Sequence, residues 1–194
     1  MRKILIVGLA IIFVIAIIVA IYQFFPSIKY QFSVKSNELP GIPDGFTLEE
    51  PEDIASGSLH NDNTQNLLLI PEIGVKVPIV EGKDESALDK GAWRMPETST
   101  PDKGSNTVIT GHRWKFIPPN EKTFYLLDKL EAGDKFTIYW ENKKYEYKVV
   151  SISVVLPTDL SVLNPTADSV VTLITCTPLF STAKRLIVVG ELIK

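Results

Sequence analysis

Two hydrophobic patterns divide the chain into a continuous apolar run and a longer region of alternation. The residues from Ile4 to Tyr22 carry no charge and are almost all apolar. From about Gln65 onward, short runs of alternating apolar and polar residues are separated by Gly, Pro, Asn or Asp. A period of two is typical of strands with one buried face, whereas a long unbroken run favours a helix. The pattern predicts one N-terminal helix and a β-rich remainder.

The N-terminal run predicts a single transmembrane helix within residues 1–25. Its 19 uncharged residues would span roughly 28 Å as a helix, which is close to the thickness of the bilayer hydrocarbon core. Arg2 and Lys3 precede the run and favour a cytoplasmic N-terminus with the C-terminal domain outside. Because bulky residues follow Ala20, the sequence predicts an uncleaved anchor, with a cleaved signal peptide as the alternative.

Residues 26–63 have the composition of an extended linker. They are rich in Pro, Gly, Ser, Asn and Asp and show no sustained apolar period. Such segments lack the apolar surface that a packed element needs. One short helix is predicted near Thr47 to Ala55, and His60 is expected to be exposed to solvent.

Residues 64–194 carry the alternating runs and predict a mainly β domain of about eight short strands and one or two short helices. The spacing of Phe124, Leu127 and Leu130 indicates a helix between Thr123 and Leu130. The predicted strands are 67–70, 74–80, 107–110, 135–140, 145–149, 151–156, 170–175 and 186–192. A closed or nearly closed β-barrel would remove the exposed sheet edges of such a set.

Charge and motifs exclude several classes of function. The formal net charge is −3, and the part beyond Arg2 and Lys3 is more acidic still, which argues against nucleic acid as a partner. The motifs of zinc peptidases, serine hydrolases and phosphate-binding loops are absent from the sequence. An acidic group lacks the register of a calcium loop, so neither a metal nor a cofactor is predicted. Its members are Glu81, Asp84, Glu85 and Asp89.

One cysteine, one histidine and one arginine are the candidates for chemistry. Cys176 is the only thiol and ends a β-branched run, Arg185 follows nine positions later, and His112 follows Gly111. A thiolate can attack a carbonyl, an imidazole can move a proton, and a guanidinium can stabilise an oxyanion. Together they suggest thiol-based acyl transfer. The alternatives are a buried inert cysteine, a structural histidine and a solvated arginine.

Two longer motifs carry a family resemblance. Thr172–Pro178, followed by Arg185–Val188, resembles the Leu-x-Thr-Cys strand and the following Arg strand of the sortases, which are membrane-anchored cysteine transpeptidases of bacterial cell surfaces. Asn106–Arg113 is similar to the strand-Gly-His-Arg motif of the same family. Supporting matches cover about residues 66–192 in the family's order, and they include Ile70–Val80, Lys90–Trp93, Leu127–Leu130, Gly133–Asp134 and Val155–Asp159.

The resemblance implies an eight-stranded sortase barrel and a role for each candidate. Cys176 would be the nucleophile, His112 the general acid/base, and Arg185 the stabiliser of the substrate carbonyl or oxyanion. Thr175 would sit beside the nucleophile and help to shape the oxyanion site. The substrates would be surface proteins with a Leu-Pro-x-Thr-Gly-like C-terminal sorting signal. A thioacyl enzyme would pass the protein to an amine of a peptidoglycan precursor or to a pilin lysine.

The details around the motifs favour some branches of the family over others. Thr177-Pro178, with Ser181-Thr182 before Arg185, resembles the pilin-type, class D or class E branches more than the housekeeping branch. The Asp-Pro-aromatic lid of pilin-type enzymes is absent from the sequence. Two alternatives stay open: a silent or gated sortase-fold binding or assembly module at the cell surface, and an endopeptidase in which water replaces the amine.

Overall fold

The structure, a computed structural model, describes residues 12–18, 66–115 and 120–194. Residues 12–18 are helical. No helix in the described ranges is both long enough and apolar enough to cross a membrane. The rest of the predicted anchor, the predicted linker and the helix predicted near Thr47 to Ala55 lie outside the described residues.

Eight β-strands and four short 3₁₀ helices form the described part of the C-terminal domain. The 3₁₀ helices are Pro71–Ile73, Glu85–Asp89, Leu127–Lys129 and Leu160–Leu163. The strands are β1 (Leu67–Ile70), β2 (Val75–Glu81), β3 (Ala92–Arg94), β4 (Asn106–Thr110), β5 (Lys135–Trp140), β6 (Lys143–Val155), β7 (Val170–Thr177) and β8 (Lys184–Leu192).

The strands close into one barrel in the order β1-β2-β3-β4-β7-β8-β6-β5, with β5 returning to β1. Two neighbouring pairs, β2 with β3 and β4 with β7, are parallel, and the other pairs are antiparallel. Closure pairs both sides of the sheet, so it removes the edge strands that an open sheet would expose. The mainly β, eight-stranded barrel expected from the sequence is confirmed.

Alternation of apolar and polar residues in the sequence explains the strands that have one buried and one more exposed face. In β5, Phe136, Ile138 and Trp140 are buried, whereas Lys135 is exposed. β7 departs from this rule, since its first six residues are all buried. One face of β7 lies against the barrel interior, and the other packs against the segment that contains Leu160–Leu163. A strand covered on both faces needs a continuous apolar run rather than an alternating one.

The observed elements differ from the expected ones in three places. The helix expected between Thr123 and Leu130 is wrong: only Leu127–Lys129 form a 3₁₀ turn. Phe124 and Leu127 are fully buried there, and an i, i+3 spacing fits a 3₁₀ turn as well as an α-helix. The expected strands at 145–149 and 151–156 are one strand, β6, with a register shift between Val149 and Ser151. β3 was not expected, because three residues carry too little pattern.

We expect Gly190→Ala to destabilise the barrel. A Cβ at this position would lie 2.4 Å from Cε1 of Phe136, whose ring stacks on Tyr147 with centroids 5.3 Å apart. Both rings are buried and cannot move aside freely, so overpacking should cost about 1–3 kcal/mol in the free energy of unfolding.

Urea unfolding measures this change. Glu191→Ala, at the next and exposed position of β8, is the control and should stay within about 0.5 kcal/mol of the wild type. Equal midpoints for Gly190→Ala and the wild type would show that the packing between β8 and the two rings is looser than described.

Candidate active site

Three neighbouring strands end at the same edge of the barrel and bring the candidate residues together. β7 and β8 are antiparallel, and their register pairs Cys176 directly with Arg185. β4 runs parallel to β7, with Thr110 opposite Ile174. The backbone N–H of Gly111 continues this pairing and donates to the carbonyl of Ile174 at 3.0 Å. His112 therefore leaves β4 beside the end of β7, although it lies 64 positions before Cys176 in the sequence.

The Cys176 thiol is unpaired and only partly buried. Residues two apart on a strand share a face, so Cys176 lies on the same face as Ile174, which packs against Ile187. Directly opposed residues of an antiparallel pair have Cβ atoms about 4.5–5.5 Å apart. The thiol and the base of the Arg185 side chain are therefore close neighbours on a rigid sheet.

His112 is two-thirds buried and has an acidic neighbour. Its Nε2 lies 3.7 Å from Oδ1 of Asp89, which is too long for a hydrogen bond. This nitrogen has no hydrogen-bond partner among the described residues. Burial lowers the pKa of His112, the Lys115 ammonium lowers it further, and the Asp89 carboxylate opposes both. The imidazole is therefore mainly neutral at pH 7.

Asp89 divides its interaction between two groups. Its carboxylate forms an ion pair with the Lys115 ammonium, and the hydrogen bond between them lowers the pKa of Asp89. The Asp89 carboxylate and the Lys115 ammonium both act on the His112 ring. The positive charge of Lys115 therefore opposes the rise in the pKa of His112 that Asp89 causes. In the sequence, Asp89 belongs to the acidic group that lacks the register of a calcium loop, and nothing in its neighbourhood indicates that the 3₁₀ helix Glu85–Asp89 approaches His112.

The Arg185 guanidinium is held by backbone oxygens. Its Nη1 donates to the carbonyls of Thr182 at 2.9 Å and Lys184 at 3.1 Å. The ion pairs found among the described residues do not include Arg185. A guanidinium has five N–H donors in a fixed plane, so these two bonds orient the fork and leave donors for a ligand oxygen.

Thr175 stands beside the thiol but on the opposite face of β7. Its side chain is 2% exposed, and its hydroxyl donates to the carbonyl of Gly111 at 2.8 Å. This bond joins the residue before Cys176 to the residue before His112. The hydroxyl is therefore committed to the backbone, and the part of Thr175 next to a bound substrate is its main chain.

All four candidates line one open groove of about 580 Å³. One wall is apolar and comes from the loop between β6 and β7, where Leu160, Val162 and Leu163 face the groove. Val162 and Leu163, like Val155, pack against the buried cluster of Val108, Ile174 and Ile187 beneath the groove. The groove thus combines an apolar wall with a polar end at Cys176.

Asn106 fastens this wall to the barrel. Its Nδ2 donates to the carbonyls of Val162 at 2.9 Å and Asn164 at 3.0 Å, and its Oδ1 accepts from the Thr172 hydroxyl at 2.8 Å. A buried amide side chain is tolerated when its donors and acceptor are all hydrogen-bonded, as they are here. Asn106 begins the strand-Gly-His-Arg motif, but its bonding partners lie more than 50 positions away, so the sequence does not indicate this role.

Aromatic residues line or adjoin the other parts of the groove. Trp93 and Trp114 face it; the indole N–H of Trp93 donates to the carbonyl of Gly82 at 3.0 Å. Trp114 contacts Phe180 edge to face with centroids 6.2 Å apart. The described residues contain no group of three or more His, Cys, Asp or Glu side chains that could hold a metal ion.

Comparison with known proteins gives a consistent result. A family model described as Sortase domain matches residues 68–193. Sortase A of Bacillus anthracis is 28% identical over 152 residues, covering 77% of this chain and 70% of that protein. Sortase SrtE1 of Streptomyces coelicolor is 35% identical over 144 residues, covering 66% of this chain but 40% of that protein. The solved structure of Group B Streptococcus Pilus Island 1 Sortase C2 has a TM-score of 0.60 and 36% identity, covering 71% of this chain and 77% of that one.

We expect the pKa of His112 to lie below that of a free histidine and to rise in Lys115→Ala. Removing the ammonium takes away a repulsion and releases Asp89, and both changes favour the imidazolium. NMR titration of the ring protons checks the shift, since the chain has two histidines and His112→Ala assigns the signals.

Lys144→Ala is the matched control for this titration. Lys144 also pairs with a carboxylate, Glu146 at 3.1 Å, but it lies on the β5–β6 hairpin and does not line the groove. Its removal should leave the titration of His112 unchanged. A wild-type pKa at or above the free value would contradict the described burial of the ring.

Proposed function

The chain belongs to the sortase family, whose members are cysteine transpeptidases, and we propose that it cleaves Leu-Pro-x-Thr-Gly-like sorting signals. Cleavage follows the Thr and transfers the protein to an amine of the cell wall or of a pilin. One observation carries the proposal: Cys176, His112 and Arg185 lie at the ends of three adjacent strands and line one groove.

The first half of the reaction forms a thioester. As the sulfur of Cys176 attacks the carbonyl carbon of the substrate Thr, the neutral imidazole of His112 takes the thiol proton. The carbon–nitrogen bond then breaks, and His112 gives that proton to the departing amine. The lowered pKa of His112 suits this sequence, because the ring starts as a base.

The second half reverses the roles of the two residues. An amine attacks the thioester carbon, and His112 accepts a proton from its nitrogen. The carbon–sulfur bond then breaks, and His112 returns that proton to the sulfur of Cys176. Water in place of the amine would give hydrolysis. The groove formed by the described residues is open to solvent, so we expect the preference for an amine to come from binding of the acceptor and not from exclusion of water.

Arg185 stabilises the negative oxygen that appears in both halves. Arg185 lies opposite Cys176 in the β7–β8 register, and two backbone carbonyls hold its guanidinium. Donors fixed before the reaction stabilise a developing charge most effectively. Thr175 shapes the same site through its main chain, because its hydroxyl bond to Gly111 holds the backbone next to the sulfur.

The apolar wall of the groove supports a substrate with apolar residues before the cleaved bond. Leu160 is 65% exposed at this wall, and Val162 and Leu163 lie beside it. A leucine and a proline of a sorting signal would bury this surface and gain roughly 25 cal/mol for each Å² removed from water. Among the branches of the family, we favour the pilin-type, class D or class E branches over the housekeeping branch, because Thr177-Pro178 follows the cysteine and Ser181-Thr182 precedes Arg185.

We place this activity outside a bacterial cell membrane. Residues 1–25 would be a single-pass anchor with a cytoplasmic N-terminus, residues 26–63 a linker, and residues 64–194 the catalytic domain. The apolar run from Ile4 to Tyr22 and the preceding positive residues support this arrangement.

Cys176→Ala should abolish formation of the thioacyl adduct and of ligated product. The substitution removes the nucleophile but should cost only about 1–2 kcal/mol in the free energy of unfolding, because the side chain is small and partly exposed. Intact-mass spectrometry of residues 60–194 with Leu-Pro-x-Thr-Gly-like peptides measures the adduct, and thermal unfolding confirms that the variant is folded.

Added amines decide between the competing activities in the same assay. An adduct that amines resolve faster than water identifies a transpeptidase, whereas equal resolution by water identifies an endopeptidase. A folded wild-type domain with a free thiol that forms no adduct with any peptide would favour a silent or gated binding module.

Arg185→Ala should slow adduct formation by about 10²–10³-fold, the usual effect of removing one donor to an oxyanion. Lys184→Ala is the control, because Lys184 is the exposed neighbour on the same strand. Its substitution removes one positive charge at nearly the same place as Arg185→Ala does. Mass spectrometry of reactions quenched at successive times gives the rate of adduct formation for each of the two variants. Similar losses in the two variants would show that only the local positive charge matters.

A further inference from the structure

A second arginine at the site, Arg113, is more buried than Arg185 and bonds to the main chain of the cysteine. Arg113 directly follows His112 and is only 4% exposed. Its Nη1 donates to the main-chain carbonyl of Cys176 at 3.2 Å and to the hydroxyl of Thr177 at 3.0 Å. One side chain thus joins the residue next to the histidine with the backbone of the cysteine.

The other side of the same guanidinium is anchored to a third segment. Its Nε donates to the carbonyl of Tyr125 at 3.3 Å, and its Nη2 lies 2.8 Å from Oδ1 of Asp128 in the 3₁₀ helix Leu127–Lys129. The neighbouring Phe124 N–H donates to the carbonyl of His112 at 2.9 Å. The segment from Phe124 to Asp128 therefore holds both His112 and Arg113.

Stability alone does not account for this arrangement. Taking a guanidinium out of water costs several kcal/mol, and apolar replacements of buried ion pairs are often as stable. What arginine adds is geometry, because its planar fork binds several acceptors at fixed angles. Here the fork fixes the distance between two short segments whose side chains must meet.

We propose that Arg113 is a positioning residue that holds the backbones of His112 and Cys176 at the separation needed for proton transfer, with Asp128 setting the orientation of its guanidinium. This inference rests on the proposed function for its kinetic consequence. It also explains why three motifs meet here: the Gly-His-Arg turn, the Leu-Asp-Lys-Leu turn and the cysteine strand.

Arg113→Lys is the decisive variant, because lysine keeps the charge but loses the fork. We expect the rate of thioacyl formation to fall by about a hundredfold, as a misplacement of about 1 Å between reacting groups can produce. The KM for the sorting peptide should change little: Arg113 contributes to the lining of the groove, but it is only 4% exposed and its guanidinium bonds to protein acceptors. Asp128→Asn should give a smaller loss of the same kind, and Asp128→Glu should retain more of the rate.

The chain supplies a matched control in Arg94. This residue also combines an ion pair, with Glu81 at 2.5 Å, and bonds to two carbonyls, those of Met95 at 3.2 Å and Thr98 at 3.1 Å. It does not line the groove. Arg94→Lys should shift the thermal unfolding midpoint as Arg113→Lys does, but keep the wild-type rate. Equal rate losses in the two variants, in proportion to their loss of stability, would overturn the proposal.

NMR separates a failure of this inference from a failure of the proposed function. In folded Arg113→Lys, the amide signals of Cys176 and Thr177 and the ring titration of His112 should all shift, whereas Arg94→Lys should leave them in place. If the wild type forms no thioacyl adduct, the proposed function fails, but these shifts still test the positioning role of Arg113. Unchanged signals in Arg113→Lys would refute the positioning role whatever the activity.

Discussion

The hydrogen-bond register that joins β4, β7 and β8 is the constraint on which the site depends. It places Cys176 opposite Arg185 and brings the end of β4 alongside Ile174. Strand pairing allows shifts only in whole residues, and a shift by one would turn the thiol to the other face. The chemistry of the groove is thus set by backbone bonds before any side-chain contact is made.

Barrel closure is what keeps this register in place. Residues on both faces of β7 are buried, because the barrel interior lies on one side and the loop with Leu160–Leu163 lies on the other. Because both faces are buried, a slip by one residue would exchange the side chains that face the barrel interior with those that face the loop, and both sets would lose their packing partners. Asn106 adds specificity, since its amide bonds fasten the loop to the barrel at one position.

Buried polar links then connect the segments that strand pairing leaves independent. Thr175 bonds to the carbonyl of Gly111, and Arg113 bonds to the carbonyl of Cys176 and to Asp128. The bonds to Gly111 and Cys176 join a residue next to His112 with a residue at or beside Cys176, and the ion pair with Asp128 fastens Arg113 to the 3₁₀ helix Leu127–Lys129. A groove that is open to water therefore has a rigid polar base, which preorganised electrostatic stabilisation requires.

The sequence by itself determined the local elements and the candidate chemistry. Alternation located seven of the eight strands, and the motifs around Gly111 and around the single thiol made His112, Cys176 and Arg185 the candidates for chemistry, because each motif consists of residues close together in the chain. Only the tertiary structure decided β3, the 3₁₀ turn at Leu127–Lys129, and the contacts of Asp89, Asn106 and Arg113. β3 is too short to carry a pattern, and the i, i+3 spacing of Leu127 and Leu130 fits a 3₁₀ turn as well as an α-helix. The partners of Asp89, Asn106 and Arg113 are distant in sequence and meet only in the folded barrel, so no local pattern could reveal these contacts.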